Sequence, residues 1–133
     1  MIHPSLFVAL YLVVDIIYVL SFNDTYNSVV KRIQGNGFPK KPYNLVMATV
    51  SYLILGFSWW YLVLTRITKS TLYKEAWILA IVFALAVYGV FNATLFVMFK
   101  DWDWKILIQD TLWGVTNISV FTLGYLYLLK ASA

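Results

Sequence analysis

Four long apolar runs occupy most of this 133-residue chain and limit the folds that it can adopt. They cover residues 4–22, 44–65, 73–99 and 106–129, and each is long enough to cross a hydrocarbon layer of about 30 Å as an α-helix. The chain is 62% hydrophobic and 12% charged, whereas a soluble domain is about half apolar and about a quarter charged. A chain this short cannot hide so much apolar surface from water, so the sequence predicts an integral, multi-pass membrane protein.

The connecting segments predict how the runs are arranged. Residues 66–72 and 100–105 are short links, which place consecutive helices antiparallel. We therefore expect an all-α, four-helix transmembrane bundle of up-down topology, forming a single domain over residues 1–133. The first connector is longer, and apolar side chains recur at helical spacing over residues 26–33, as is typical of a short helix in the membrane interface. The first run has no basic segment before it and no small-residue cleavage site after it, so we expect a retained first helix.

Composition excludes several kinds of site. The chain has no cysteine, which excludes disulfides, thiolate metal sites and cysteine nucleophiles. His3 is the only histidine, so neither a histidine metal site nor a Ser/His/Asp triad is expected. We expect a non-enzymatic protein without metal or cofactor. The net charge of +4 is carried by the connectors, which suits anionic lipid headgroups better than nucleic acid.

Polar side chains lie at a similar depth in several of the runs. Asp15, Asn92 and Asp110 are each within about two helical turns of the end that faces the first and third connectors. A carboxylate exposed to lipid costs about 3 kcal/mol, so we expect both aspartates to face the bundle interior and to meet hydrogen-bond donors. The predicted intramembrane polar cluster comprises Asp15, Tyr18, Tyr88, Asn92, Asp110, Trp113 and Asn117.

The role of this cluster is left open by the residues themselves. Intramembrane polar groups often hold helices together through bonds of about 1 kcal/mol each, and they also form ligand or proton sites or contact a partner protein. The connectors carry a second set of candidates on one side of the membrane. The residues predicted to contact a partner protein or lipid headgroups are Lys31, Arg32, Lys40, Lys41, Trp102 and Trp104.

The segment FNATLFVMFKDWDWKILIQDTLWG resembles part of a family of small four-helix membrane proteins, domain of unknown function 2177. The family's closing Asp-x-x-Trp-Gly motif matches at Asp110, Trp113 and Gly114. Its Lys-x-Trp connector matches at Lys100 and Trp102. The resemblance implies a four-helix membrane protein, and no activity is established for the family.

The likeness covers nearly the whole chain, with one informative departure. Asp15 resembles the family's aspartate of the first helix, whereas Phe91 and Asn92 replace a Tyr-Asp pair of the family. If the family uses that aspartate for acid–base chemistry, this chain lacks it. The family occurs in bacteria and in large DNA viruses, and a composition rich in Tyr, Phe, Lys and Asn resembles the viral members.

Three hypotheses about function follow. The first is a non-enzymatic structural component of a viral internal membrane, which packs in the bilayer of the virion and docks to capsid proteins. The alternative is a small transporter or a lipid- or small-molecule-binding membrane protein that uses Asp15, Asn92 and Asp110. A membrane enzyme of lipid metabolism comes third, because the runs lack histidine clusters and basic residues. A polar cavity open to one leaflet favours the alternative, and a dry, closed bundle favours the structural role.

Overall fold

A computed structural model describes residues 3–132, and the regular secondary structure there is helical, with no strand. The all-α prediction is confirmed. In chain order the elements are α1 (Pro4–Ser21), α2 (Asn23–Gln34), α3 (Pro42–Leu62), a 3₁₀ turn (Leu64–Arg66), α4 (Tyr73–Ala84), a π-helical turn (Leu85–Gly89), α5 (Val90–Met98) and α6 (Trp104–Ala131).

Four helical segments are long and apolar enough to cross a membrane, as predicted. We call them span 1 (Pro4–Ser21), span 2 (Pro42–Arg66), span 3 (Tyr73–Met98) and span 4 (Trp104–Ala131). At about 1.5 Å per residue, each is at least about as long as the hydrocarbon layer is thick.

Local chemistry explains why the span limits differ slightly from those predicted. Span 2 begins at Pro42 instead of residue 44, because proline suits the first helical position, where its missing N–H is not needed. Span 4 begins at Trp104 instead of residue 106, because Asp103 caps it by accepting a 2.8 Å hydrogen bond from the Lys105 backbone N–H.

The helix predicted in the first connector is present but longer than expected. It covers Asn23–Gln34 instead of residues 26–33, and only Phe22 separates it from α1. Gln34 is its last residue, and the following Gly35 caps it with a φ of 81°, which lies in the left-handed region. Glycine adopts this conformation without steric cost, which makes it a common helix terminator.

Contacts between distant segments show which ends of the spans lie together. At one end, Phe7 packs edge-on against Tyr125 with ring centroids 5.4 Å apart, and the Lys69 ammonium donates to the Ser132 carbonyl. At the other end, Arg32 of the first connector lies 3.9 Å from Asp103 of the third. The start of α1, the end of α6 and the second connector therefore share one end, as an up-down bundle requires.

The helices are packed unevenly. Span 4 is the most buried of the four and packs against α4, the π-helical turn, α5 and α1. Span 2 packs closely against α1, whereas its contacts with α4 and α5 are few. Spans 2 and 3 therefore pack loosely against each other, and the gap between them is lined by residues such as Leu55 and Phe91.

Candidate functional site

A cavity of about 400 Å³ occupies the bundle at the end that holds the first and third connectors. It receives side chains from all four spans and from the first connector. Its polar lining is Asp15, Asn23, Tyr26, Ser51, Tyr52, Tyr88, Asn92 and Asp110, and the other lining residues are Val19, Phe38, Leu55, Val87, Phe91 and Trp102. The cavity therefore has both hydrogen-bonding and apolar walls.

Asp15 is held by two neutral donors from different helices. The Tyr88 hydroxyl donates to Asp15 Oδ1 at 2.9 Å, and the Trp113 indole N–H donates to the same oxygen at 2.8 Å. Tyr11 extends the chain of bonds, since its hydroxyl lies 2.7 Å from that of Tyr88. Because the Tyr88 proton points to Asp15, Tyr11 is the donor in this last bond.

Asp110 is held in a different way, because it uses both of its oxygens. Oδ1 accepts from the Tyr26 hydroxyl at 2.8 Å, and Oδ2 accepts from the Asn92 amide at 2.5 Å. The bond to Asn92 joins α6 to α5, as the depth of the two residues predicts. Asn92 also donates to the Tyr88 carbonyl oxygen at 2.9 Å, so the two aspartates belong to one network.

Two features of the backbone place Tyr88 at the centre of this network. Tyr88 lies in the π-helical turn Leu85–Gly89, where the wider turn changes the direction of the following side chains, and such turns are frequent at functional sites. Its ring packs against Gly114 so closely that a Cβ atom added at this glycine would overlap the ring. Glycine is therefore required at residue 114 for Tyr88 to reach Asp15.

Tyr18 and Trp113 support the network from the side of α1. Their rings stack with centroids 4.2 Å apart and planes 5° from parallel. The Gln109 amide donates to the Tyr18 hydroxyl at 3.1 Å. This packing holds the Trp113 indole in position to donate to Asp15.

Tyr26 fastens α2 over the cavity. Burial raises the pKa of the Tyr26 hydroxyl above its usual range, and the neighbouring Tyr18 and Asp110 raise it further. Because the folded-state pKa is raised, the protonated hydroxyl stabilises the folded protein fully below the unfolded-state pKa of about 10. This stabilisation is lost only at higher pH. The Tyr26 bond to Asp110 is therefore intact at physiological pH.

We expect Tyr26→Phe to lower the free energy of unfolding by about 1 kcal/mol, because it leaves Asp110 Oδ1 without its donor. The difference from wild type should be constant from neutral pH up to about pH 10 and should shrink above it. Unfolding in mixed detergent micelles across this pH range measures it. A difference that shrinks already between about pH 6 and 8 would contradict the assignment of a protonated tyrosine.

Some predicted residues do not join the network. Asn117 lies about two turns beyond Asp110 on α6, does not line the cavity, and is buried with no partner for its Nδ2 among the described residues. Trp102 was predicted to meet headgroups, but it is half-buried and lines the cavity, because the short third connector lies beside the cavity. The other residues predicted to contact a partner protein or lipid headgroups are exposed, and they are Lys31, Arg32, Lys40, Lys41 and Trp104.

Sequence reasoning missed three tyrosines of this region as members of the cluster. Tyr26 was placed on the apolar face of α2 but donates to Asp110. Tyr52 lines the cavity from α3, and Tyr11 bonds to Tyr88. Helical spacing does place Tyr11 on the same face as Asp15, which is the one signal that points to any of them.

These observations define a polytopic membrane protein of four spans, with a polar network and a cavity at one end of the bundle. Residues 2–126 match a family model described as "Predicted membrane protein (DUF2177)". The chain belongs to this family. No curated protein and no solved structure matches the chain.

The geometry gives a physical role to each residue of the Asp-x-x-Trp-Gly motif. Asp110 accepts hydrogen bonds from α2 and α5, Trp113 donates to Asp15 on α1, and Gly114 makes room for the Tyr88 ring. One turn of α6 thus organises the side chains of three other helices around the cavity.

Proposed function

We propose that this protein binds an amphiphilic small molecule, such as a lipid, in the cavity between spans 2 and 3. The observation that carries the proposal is the cavity itself, about 400 Å³ with two carboxyl groups and several apolar side chains in its wall. Small-molecule sites are commonly 300–1,000 Å³, mostly apolar, with a few polar groups that orient the ligand.

Entry from the lipid is supported by the gap between spans 2 and 3. Phe91 lines the cavity and is nevertheless 58% exposed on the outer surface of the bundle. Leu55, on the other side of the gap, is half-buried and also lines the cavity. A molecule in the bilayer can therefore place its apolar part between the two spans and its polar part at the aspartates.

Binding without transport agrees best with the packing beyond the cavity. The bundle beyond Tyr88 is filled by a core that includes the fully buried Tyr11, Trp59 and Ile118. A transport path would have to cross this core, so we propose a site that is reached from one side only.

The viral structural role remains a prediction, and one feature favours it. The exposed basic residues Lys31, Lys40 and Lys41 all lie on the first connector, where an acidic protein surface can dock. A purely structural bundle, however, does not require a recess of this size with two carboxyl groups in its wall, because interiors are normally close-packed. The cavity therefore favours the binding function.

We expect Leu55→Trp to weaken ligand binding strongly, because the larger side chain fills part of the cavity from α3. Leu53→Trp is the matched control, since Leu53 lies on the same helix but is 63% exposed and does not line the cavity. Native mass spectrometry, with the protein in a neutral detergent and a total polar lipid extract as the probe, counts the bound lipids. Wild type and Leu53→Trp should each retain a lipid adduct. The intensity of this adduct should be about tenfold lower in Leu55→Trp.

Equal adducts in wild type and in Leu55→Trp would overturn the proposal, provided that both variants remain folded by circular dichroism. Loss of the adduct in both tryptophan variants would also count against it, because the lipid would then be bound on the outer surface of α3.

A further inference from the structure

We infer that the ligand of this cavity carries a positively charged headgroup, of the ammonium class, on an apolar chain. This inference rests on the proposed binding function and narrows it to one chemistry. It follows from the charge of the cavity, from the use of its donors and acceptors, and from its aromatic wall.

The cavity has acidic groups but no basic one. Asp15 and Asp110 both line it, and no lysine, arginine or histidine is among the residues that form its wall in the described part of the chain. Their hydrogen-bond donors Tyr88, Trp113, Tyr26 and Asn92 are all neutral. Ionisable groups inside membranes are normally paired with an opposite charge or with a ligand, so a cationic ligand supplies the missing partner.

Asp15 has one oxygen that accepts no hydrogen bond of ordinary length from the described residues, and the Tyr52 hydroxyl is a further donor near this carboxyl group. Its side chain is only 3% exposed, it lines the cavity, and both hydrogen bonds that it accepts fall on Oδ1. Oδ2 accepts none of ordinary length from residues 3–132. An ammonium group has donors and no acceptor, so it fits an unused carboxylate oxygen at the wall of a cavity.

Several hydrogen-bond donors at the cavity wall are already in use, which disfavours an anionic headgroup. The Tyr26 and Tyr88 hydroxyls are already committed to Asp110 and Asp15, and the Ser51 hydroxyl donates to the Met47 carbonyl at 2.9 Å. Binding an anion through these groups would break their bonds, and binding it anywhere in the cavity would bring like charges together.

The aromatic wall favours a cation independently of the carboxyl groups. Aromatic faces attract ammonium groups through their quadrupole, and cages of such rings recognise quaternary ammonium ligands. The aromatic residues that line the cavity are Tyr26, Phe38, Tyr52, Tyr88, Phe91 and Trp102. They come from four different elements and from the connectors, so they surround the space instead of forming one flat surface.

Binding of two probes with the same twelve-carbon chain, dodecylammonium and dodecanoate, tests this inference. Isothermal titration at neutral pH in an uncharged maltoside detergent gives the affinity, and the same titration of Leu55→Trp corrects for uptake by the micelle. We expect wild type to bind dodecylammonium at least about tenfold more tightly than dodecanoate.

Asp15→Asn is the variant that isolates the charge. Its amide oxygen can replace Oδ1 and accept from both Tyr88 and Trp113, so the fold is retained. We expect this variant to lose most of the preference for dodecylammonium, with an affinity ratio of about threefold or less, since Asp110 still lines the cavity. Asp24→Asn is the matched control, because Asp24 is exposed on α2 and does not line the cavity; it should keep the preference.

The outcomes separate this inference from the proposed function. Saturable, Leu55-dependent binding of dodecanoate that equals or exceeds that of dodecylammonium would overturn the cationic headgroup and leave the binding function standing. Absence of saturable binding of either probe relative to Leu55→Trp would overturn both. A preference for dodecylammonium that survives undiminished in Asp15→Asn would overturn the role of Asp15.

Discussion

Gly114→Ala is expected to destabilise the protein by about 1–3 kcal/mol, which is the usual cost of forcing an extra methyl group into a packed interior. A Cβ atom at residue 114 would overlap the Tyr88 ring. The ring cannot move away without lengthening the bonds that its hydroxyl makes with Asp15 and Tyr11. The substitution therefore strains the centre of the network and not merely one helix contact.

Gly124→Ala is the matched control for this experiment. Both glycines lie in α6, but a Cβ atom at residue 124 would meet only Phe7, at an ordinary 3.8 Å. Alanine is favoured over glycine in a helix by about 1 kcal/mol, so this variant should be as stable as wild type or slightly more so.

Unfolding of wild type and the two variants by a denaturing detergent in mixed micelles, followed by tryptophan fluorescence, gives the free energies. If Gly114→Ala and Gly124→Ala shifted the transition equally, the close approach of Tyr88 to Gly114 would be wrong. A loss of dodecylammonium binding in Gly114→Ala would further connect the position of Tyr88 to the state of the cavity.

The number and length of the spans can be predicted from the sequence because hydropathy and helix length are local properties. The same is true of the depth of Asp15, Asn92 and Asp110, which is enough to predict that the aspartate of α6 meets a polar group of span 1 or span 3. The observed bond between Asp110 and Asn92 is of this kind. Depth along a helix and cost of lipid exposure together determine it.

Depth and helical spacing cannot predict the hydrogen bond between Tyr26 and Asp110. It joins residues 84 positions apart in the chain. Helical spacing tells which residues of α2 share a face, but not which face meets another helix. An apolar face that contains a tyrosine therefore predicts an interfacial helix. It does not tell whether the tyrosine meets lipid headgroups or a buried carboxylate.

The cavity itself is hidden for a similar reason. Leu53 faces the surface and Leu55 lines the cavity, yet the two leucines are chemically identical in the sequence. The sequence does not indicate the π-helical turn either, because residues 85–89 are as apolar as their neighbours. Only packing shows that spans 2 and 3 stand apart and that Tyr88 turns towards α1.

Asp110→Asn is expected to destabilise the protein by about 1–2 kcal/mol, whereas Asp15→Asn should change the stability by less than about 0.5 kcal/mol. The two carboxyl groups use their oxygens differently. Asp110 accepts from Tyr26 on one oxygen and from Asn92 on the other, while Asp15 accepts both of its bonds on Oδ1. An amide keeps only one acceptor, so it satisfies both donors at residue 15 and leaves one stranded at residue 110.

A double-mutant cycle with Tyr26→Phe identifies the stranded donor. In the Tyr26→Phe background only Asn92 still donates to residue 110, and the single amide oxygen is sufficient for it. The cost of Asp110→Asn should therefore be smaller in this background, which appears as a coupling free energy of about 1 kcal/mol between residues 26 and 110. Strictly additive losses would mean that Tyr26 does not bond to Asp110 in the folded protein, and would leave the ion pair of Arg32 with Asp103 to hold α2 against the rest of the bundle.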